Sequence, residues 1–154
     1  MSSVFAKLNF KDQRSLLILN APESFAAELA ALNDVTAHRD ARSLKSLEFA
    51  LAFGATLKDV EAFAKIVAKK ASGDAVIWFA YPKGSSKRYT CEFNRDSGWS
   101  ALGEAGYEPV RQVAIDEDWS ALRFRKVAFI KTMSRSTLAP ISKAGAARLK
   151  KKAS

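Results

Sequence analysis

At 154 residues, 48% of them apolar and 27% charged, the chain has the length and composition of one globular domain rather than two. Its longest apolar run, Ala75 to Tyr81, is too short for the about 20 residues a membrane-spanning helix needs, and its single cysteine, Cys91, excludes an intramolecular disulfide or a cysteine-built zinc cluster. The net charge of +9 is uneven: Ser134 to Ser154 hold six basic residues and no acidic one, which leaves +3 for residues 1 to 133.

Met1 to Lys11 lacks the apolar core of a secretory signal, so a cytoplasmic protein is expected. Ser15 to Leu19 then reads as a short buried strand. Pro22 suits the first helical position, and Phe25, Leu29 and Leu32 follow at helical spacing up to Asn33-Asp34. Val35 to Arg39 reads as a second strand and Leu47 to Phe53 as a third, turned by Gly54. Asp40 to Ser46 is too short for a crossover helix, which predicts an extended crossing and a thinly covered sheet face, a candidate homodimer contact.

The next helix has the clearest signals. Thr56 with Asp59 three residues on makes a capping-box-like start, and Leu57, Val60, Phe63, Ala64 and Val67 form one apolar stripe. Lys65, Lys69 and Lys70 suit the helix dipole, and Gly73 is expected to close the helix. Ala75 to Tyr81 is a continuous apolar strand of the kind buried on both faces. Ser97 to Ala105 reads as a short helix with Trp99 and Leu102 inward, ended by Gly106. Pro109 to Ile115 and Leu122 to Phe129 are strand-like and flank the acidic turn Asp116-Glu117-Asp118, as in an antiparallel hairpin. Four parallel strands with interleaved helices plus this hairpin predict an α/β fold, a Rossmann-like three-layer sandwich similar in outline to methyltransferase domains.

Three motifs, "LNAPE" after the first strand, "WFAYPK" from Trp78 to Lys83 and "AIDEDWSALRF" from Ala114 to Phe124, resemble an uncharacterised family of small bacterial domains of unknown function. The resemblance covers roughly Lys7 to Val127, and its most specific residues are Asp116, Trp119, Ser120 and Leu122. It implies a Rossmann-like fold related in shape to S-adenosylmethionine-dependent methyltransferases. It carries over no activity and no catalytic residue.

In an open α/β sheet the ligand lies beyond the C-terminal strand ends, and there the chain offers Asn20, Glu23, Asp40, Thr56, Tyr81, Lys83, Ser85, Lys87 and Arg88 as candidate ligand-binding residues. The first turn has no glycine. Pro22 removes an N–H, Ala21 carries a side chain where a ligand would approach, and Glu23 places a carboxylate where a phosphate would sit, so this turn is not a phosphate site. S-adenosylmethionine brings no phosphate, and Asp40 has the position to hold its ribose hydroxyls; the simpler role for Asp40 is a turn former.

The loop "YPKGSSKRY" offers flexible donors to an anionic small molecule but lacks P-loop spacing, and a solvated surface loop would have the same composition. His38 lies within a strand, Cys91 reads as structural, and the acidic turn is either solvated or a weak cation site; no metal site is expected. In the tail, Arg148, Lys150, Lys151 and Lys152 could hold nucleic acid by phosphate neutralisation, or serve solubility alone. The leading expectation is a non-catalytic binding or interaction module without a cofactor. The alternatives are a divergent S-adenosylmethionine-dependent methyltransferase and a nucleic-acid-associated protein acting through its tail.

Overall fold

A computed structural model describes residues 3–8, 10, 15–32, 36–40, 42, 44–87, 89–91, 93 and 98–130. Residues 9 and 11–14, the expected stop at Asn33-Asp34, Glu92 and Arg88 beside Cys91, and the tail from 134 lie outside these residues.

One six-stranded sheet organises the chain in the order β2-β1-β3-β4-β6-β5. Its strands are β1 (Ser15–Leu19), β2 (Thr36–His38), β3 (Leu47–Phe53), β4 (Ala71–Pro82), β5 (Tyr107–Ala114) and β6 (Trp119–Lys126). The first four are parallel neighbours, with Leu17 opposite both His38 and Ala50 and with Leu51 opposite Trp78. β6 runs antiparallel between β4 and β5, and the β5–β6 pair is the hairpin read from the sequence. The observed sheet is therefore mixed α/β, with the parallel half and antiparallel end that the sequence predicts.

Alternation along the strands divides the core between two faces. Leu17, Ala50, Ala52, Ile77, Phe79, Tyr81, Leu122 and Phe124 cluster on one side with Val60, Phe63, Ala64 and Val67 of α3 (Leu57–Lys70) and Leu102 of α4 (Ser100–Glu104). Leu16, Ile18, Phe49, Leu51, Phe53, Trp78 and Trp119 cluster on the other with Val4, Phe5 and Leu8 at α1 (Ser3–Lys7), and with Phe25, while Leu29 at α2 (Ala26–Ala30) packs against them. Each fully buried Val, Leu, Ile or Phe among them contributes about 1.5–3 kcal/mol. The Trp78 indole N–H donates to the Leu8 carbonyl at 2.7 Å, which fastens the N-terminal turn to the middle of the sheet.

The structure corrects several boundaries. Pro22 is extended (φ −68, ψ 159) and precedes a short 3-10 turn, Glu23–Phe25, so it caps the helical segment from outside. Leu57, at 44% exposure, lies off the buried stripe of α3. That helix ends at Lys70 because Ala71 is already extended, and Gly73, at φ 55, lies within β4. α1 has no counterpart in the sequence reading. The last strand begins at Trp119, three residues earlier than expected, and gives way to a 3-10 turn at Val127–Phe129.

Among its described residues the β2–β3 crossing has no α-helix, and the face beneath it is not bare. Leu44 packs against the cluster that contains Leu17, which is fully buried, and Lys70 Nζ donates to the Leu44 carbonyl at 2.7 Å. Thin cover shows at the two outer strands, at Thr36 and Ala37 of β2 and at Val110, Arg111 and Gln112 of β5, which are exposed.

Candidate functional site

The four parallel strands end at Leu19, His38, Phe53 and Pro82, and the candidate residues follow those ends. Asn20 is the only non-glycine described residue with positive φ, at 57°. Asparagine tolerates this left-handed conformation better than other side-chain-bearing residues, so the chain makes the sharp exit from β1 without the expected glycine. Asn20 and Glu23 are exposed, and Phe25 turns inward at the same corner.

At the end of β2, Asp40 is engaged by its neighbour. Its Oδ1 accepts from the Arg42 backbone N–H at 2.8 Å, and its Oδ2 accepts from Arg42 Nε at 2.8 Å and Nη2 at 2.6 Å. Those hydrogen bonds hold the Asp40 carboxyl below its usual range. At the end of β3, Gly54 is buried against α3 and β4: an added Cβ would lie 2.6 Å from Asp59 Cβ and 2.7 Å from Phe79 Cζ. The helix start beyond it is closed by its own acid. Asp59 Oδ2 accepts from the backbone N–H groups of Ala55 (3.0 Å) and Thr56 (3.1 Å), while Thr56 Oγ1 accepts from Asp59 N–H at 3.2 Å. Thr56 thus performs the capping role the sequence assigns it, and Asp59 occupies the position an anion would take at this N-terminus.

The loop after β4 is strapped to the hairpin. Lys83 N–H donates to the Asp118 carbonyl at 2.8 Å, Ser86 Oγ donates to Asp118 Oδ1 at 2.9 Å, and Tyr89 N–H donates to Ser86 Oγ at 3.2 Å. Asp118 is fixed in turn by Asp116, whose Oδ1 accepts from the N–H groups of Asp118 and Trp119 at 2.8 and 2.9 Å. The acidic turn is therefore a folded connector, and among the described residues no group of three or more metal-ligating side chains assembles.

Lys83 and Ser86 are half-buried, Ser85 and Lys87 exposed; Arg88 lies outside the described residues, as do Arg148, Lys150, Lys151 and Lys152. Tyr81 faces the core, packed against Phe93 and Trp99, with its hydroxyl accepting from Gln112 Nε2 at 2.8 Å.

Sequence reasoning missed the aromatic chain across this edge. Phe25 meets Phe53 at 5.0 Å between ring centroids, Phe53 meets Trp119 at 5.2 Å, and Tyr89 lies on Trp119 at 4.9 Å. The rings span the ends of β1, β3 and β6. The Trp119 indole N–H is buried among them without an acceptor. The signal was present in the sequence only as scattered aromatics, each explicable as core. His38 is half-buried on β2, and Cys91 is half-buried against the α3-side cluster, which fits a structural cysteine. An open groove of about 480 Å³ runs between α3 and α4, lined by Glu61, Ala64, Lys65, Ala68, Ala101 and Glu104 among others; it lies along the helices, not at the strand ends.

No family model and no curated protein matches the chain. Solved structures do. A possible exported protein from Bordetella parapertussis matches with TM-score 0.53 and 12% identity over 80% of this chain and 65% of that one, so the chain spans under two thirds of that protein's length. The [4+2]-cyclase SpnF matches with TM-score 0.53 and 11% identity over 80% of this chain and 78% of that one. A putative type 11 methyltransferase from Sulfolobus solfataricus matches with TM-score 0.49 and 11% identity over 86% and 82% of the two chains. Among the described residues no helix is long and apolar enough to cross a membrane. At these identities the likeness is one of fold: a mixed α/β sheet that SpnF and the exported protein share with this chain.

Proposed function

We propose that the chain is a non-catalytic binding or interaction module, cytoplasmic and built on a methyltransferase-shaped, three-layer Rossmann-like domain. The observation that supports this most is that the groups a nucleoside would need at the strand ends are engaged by the chain itself. Asp40 is held by Arg42, the start of α3 is filled by Asp59, and the rings of Phe25, Phe53 and Trp119 occupy the corner between β1, β3 and β6. Pro22 has no N–H to give. These residues do not fit S-adenosylmethionine. The test is thermal unfolding with S-adenosylmethionine, S-adenosylhomocysteine, nucleotides and phosphorylated metabolites. A ligand of the native state present at 100 times its dissociation constant would add about 2.7 kcal/mol, and no shift is expected.

A divergent methyltransferase is the second reading. It is favoured by the left-handed exit at Asn20, which bends the chain after β1 as a glycine would. On that reading S-adenosylhomocysteine raises the melting temperature, and Asp40→Ala loses the effect.

A further inference from the structure

The outer part of the α1-side sheet face carries a group of arginines that the strand-end site does not use. On β6, Trp119 and Ala121 belong to the α1-side cluster, so alternation puts Arg123 and Arg125 on the same side. Arg123 is paired in register with Trp78 of β4 on one flank and with Arg111 of β5 on the other. Two like charges directly opposite on neighbouring strands repel and are ordinarily avoided. Arg125 is balanced: its Nε donates to Asp74 Oδ1 at 2.9 Å, and Glu108 stands opposite it in register. No ion pair among the described residues reaches Arg111 or Arg123, and Arg123 Nε is buried with no hydrogen-bond partner. Burial, with Arg125 and Arg111 adding to it, lowers the Arg123 guanidinium below its ordinary pKa, against the opposing pull of Asp74.

The sequence that follows β6 does not supply the missing negative charge. Residues 131 to 154 contain seven basic side chains and no acidic one, and they begin only six positions after Arg125. Arg111 is exposed, next to Val110, which is 36% exposed. We propose that the β5–β6 face presenting Arg111 and Arg123 binds the sugar-phosphate backbone of duplex nucleic acid. Planar guanidinium forks match phosphate oxygens. A run of positive charge continuing for some twenty residues suits a polyanion of regular charge better than a single acidic peptide. This face runs along β6 away from the strand ends, so the proposal stands or falls separately from the reading of the strand-end site.

The test is fluorescence anisotropy of the full chain with a labelled 20-base-pair DNA duplex over a salt series. Each phosphate contact contributes about 0.9 to the slope of log K against log salt. Arg111→Gln is expected to lower that slope by about one and R111Q with R123Q by about two, with at least a tenfold loss of affinity for the double variant, whereas Arg111→Lys keeps the slope. Arg111 is exposed, so the single variant remains informative if R123Q fails to fold. Any of three results would overturn the proposal: no binding in dilute salt, an unchanged slope in both Arg111→Gln and Arg111→Glu, or displacement of the duplex by a polyglutamate peptide at equal charge concentration. The last would point to an acidic protein partner. A full-length variant with the basic residues of 131 to 154 changed to Gln should bind more weakly yet still respond to Arg111→Gln; loss of that response would assign the binding to the C-terminal stretch alone.

Discussion

Among the described residues, the side-chain hydrogen bonds at the end of β2 join near neighbours in sequence, whereas those at the β4–β6 end cross the chain. Asp40 bonds to Arg42 two residues away, and both are exposed. Ser86 bonds to Asp118 across 32 residues, and Asp116 fixes the turn that presents Asp118. A local contact costs little chain entropy and constrains only its own turn; a long-range one closes a loop and couples two elements. The end of β2 is thus closed by its own turn. The Lys-Gly-Ser loop, whose composition suggests mobility, is the anchored one.

Phe53 joins the two halves, touching Phe25 on one side and Trp119 on the other. Phe53→Ala should cost about 3–5 kcal/mol, because it removes a ring that is 1% exposed and leaves a cavity between both neighbours. Urea unfolding would measure it. A cost under about 1 kcal/mol would mean that the corner collapses and that the halves are not joined there.

Gly54, after β3, and Gly84, in the loop after β4, compare the packing at two points of the edge by a single methyl group. At Gly54 the methyl meets Asp59 and Phe79 at under 3 Å, and the cost should be about 1–3 kcal/mol, with the capping box disturbed. At Gly84 nothing lies within 4 Å, and Gly84→Ala should leave the melting temperature unchanged or raise it slightly. Equal effects at the two positions would contradict the packing described here.

Ser86→Ala removes one hydroxyl that both donates to Asp118 and accepts from Tyr89. A loss of about 1 kcal/mol is expected. Its clearer sign is local: trypsin should cleave after Lys83 or Lys87 about fivefold faster when opening of the loop becomes easier by that amount. Unchanged cleavage would show that the Lys83 N–H bond to the Asp118 carbonyl is strap enough.

This contrast explains what the sequence made legible. β1 and β3 were read to the residue, because continuous apolar runs bounded by Asn20 and Gly54 have one reading. α3 was read from its capping box and stripe, although the stripe was extended one residue too far, to Leu57. α1 was not legible: five residues with no repeat become a helix where Phe5 and Leu8 find the sheet and Trp78 finds the Leu8 carbonyl. At the strand ends, residue types gave the location of the candidates but not their partners. Nothing in the spacing says that Asp40 turns to Arg42, that Ser86 reaches Asp118, or that Phe25, Phe53 and Trp119 converge, since the last two pairings depend on how the sheet is assembled.

The smallest effect belongs to Asp40, and it decides between the two readings of the edge. Its carboxyl titrates below the usual value because Arg42 hydrogen-bonds the charged form. A group whose folded pKa is depressed contributes stability above its unfolded value of 3.8 and loses that contribution as pH falls through the lower folded value. The Asp40 side chain is 48% exposed and that of Arg42 91%, so water and salt screen the pair. Asp40→Asn should therefore melt with the parent protein at pH 7, and the two should remain together below pH 4. If S-adenosylhomocysteine shifts the parent but not this variant, Arg42 releases the carboxylate to a ribose and the methyltransferase reading prevails. If neither responds, Asp40 and Arg42 form a turn, and this end of the edge has no nucleoside to hold.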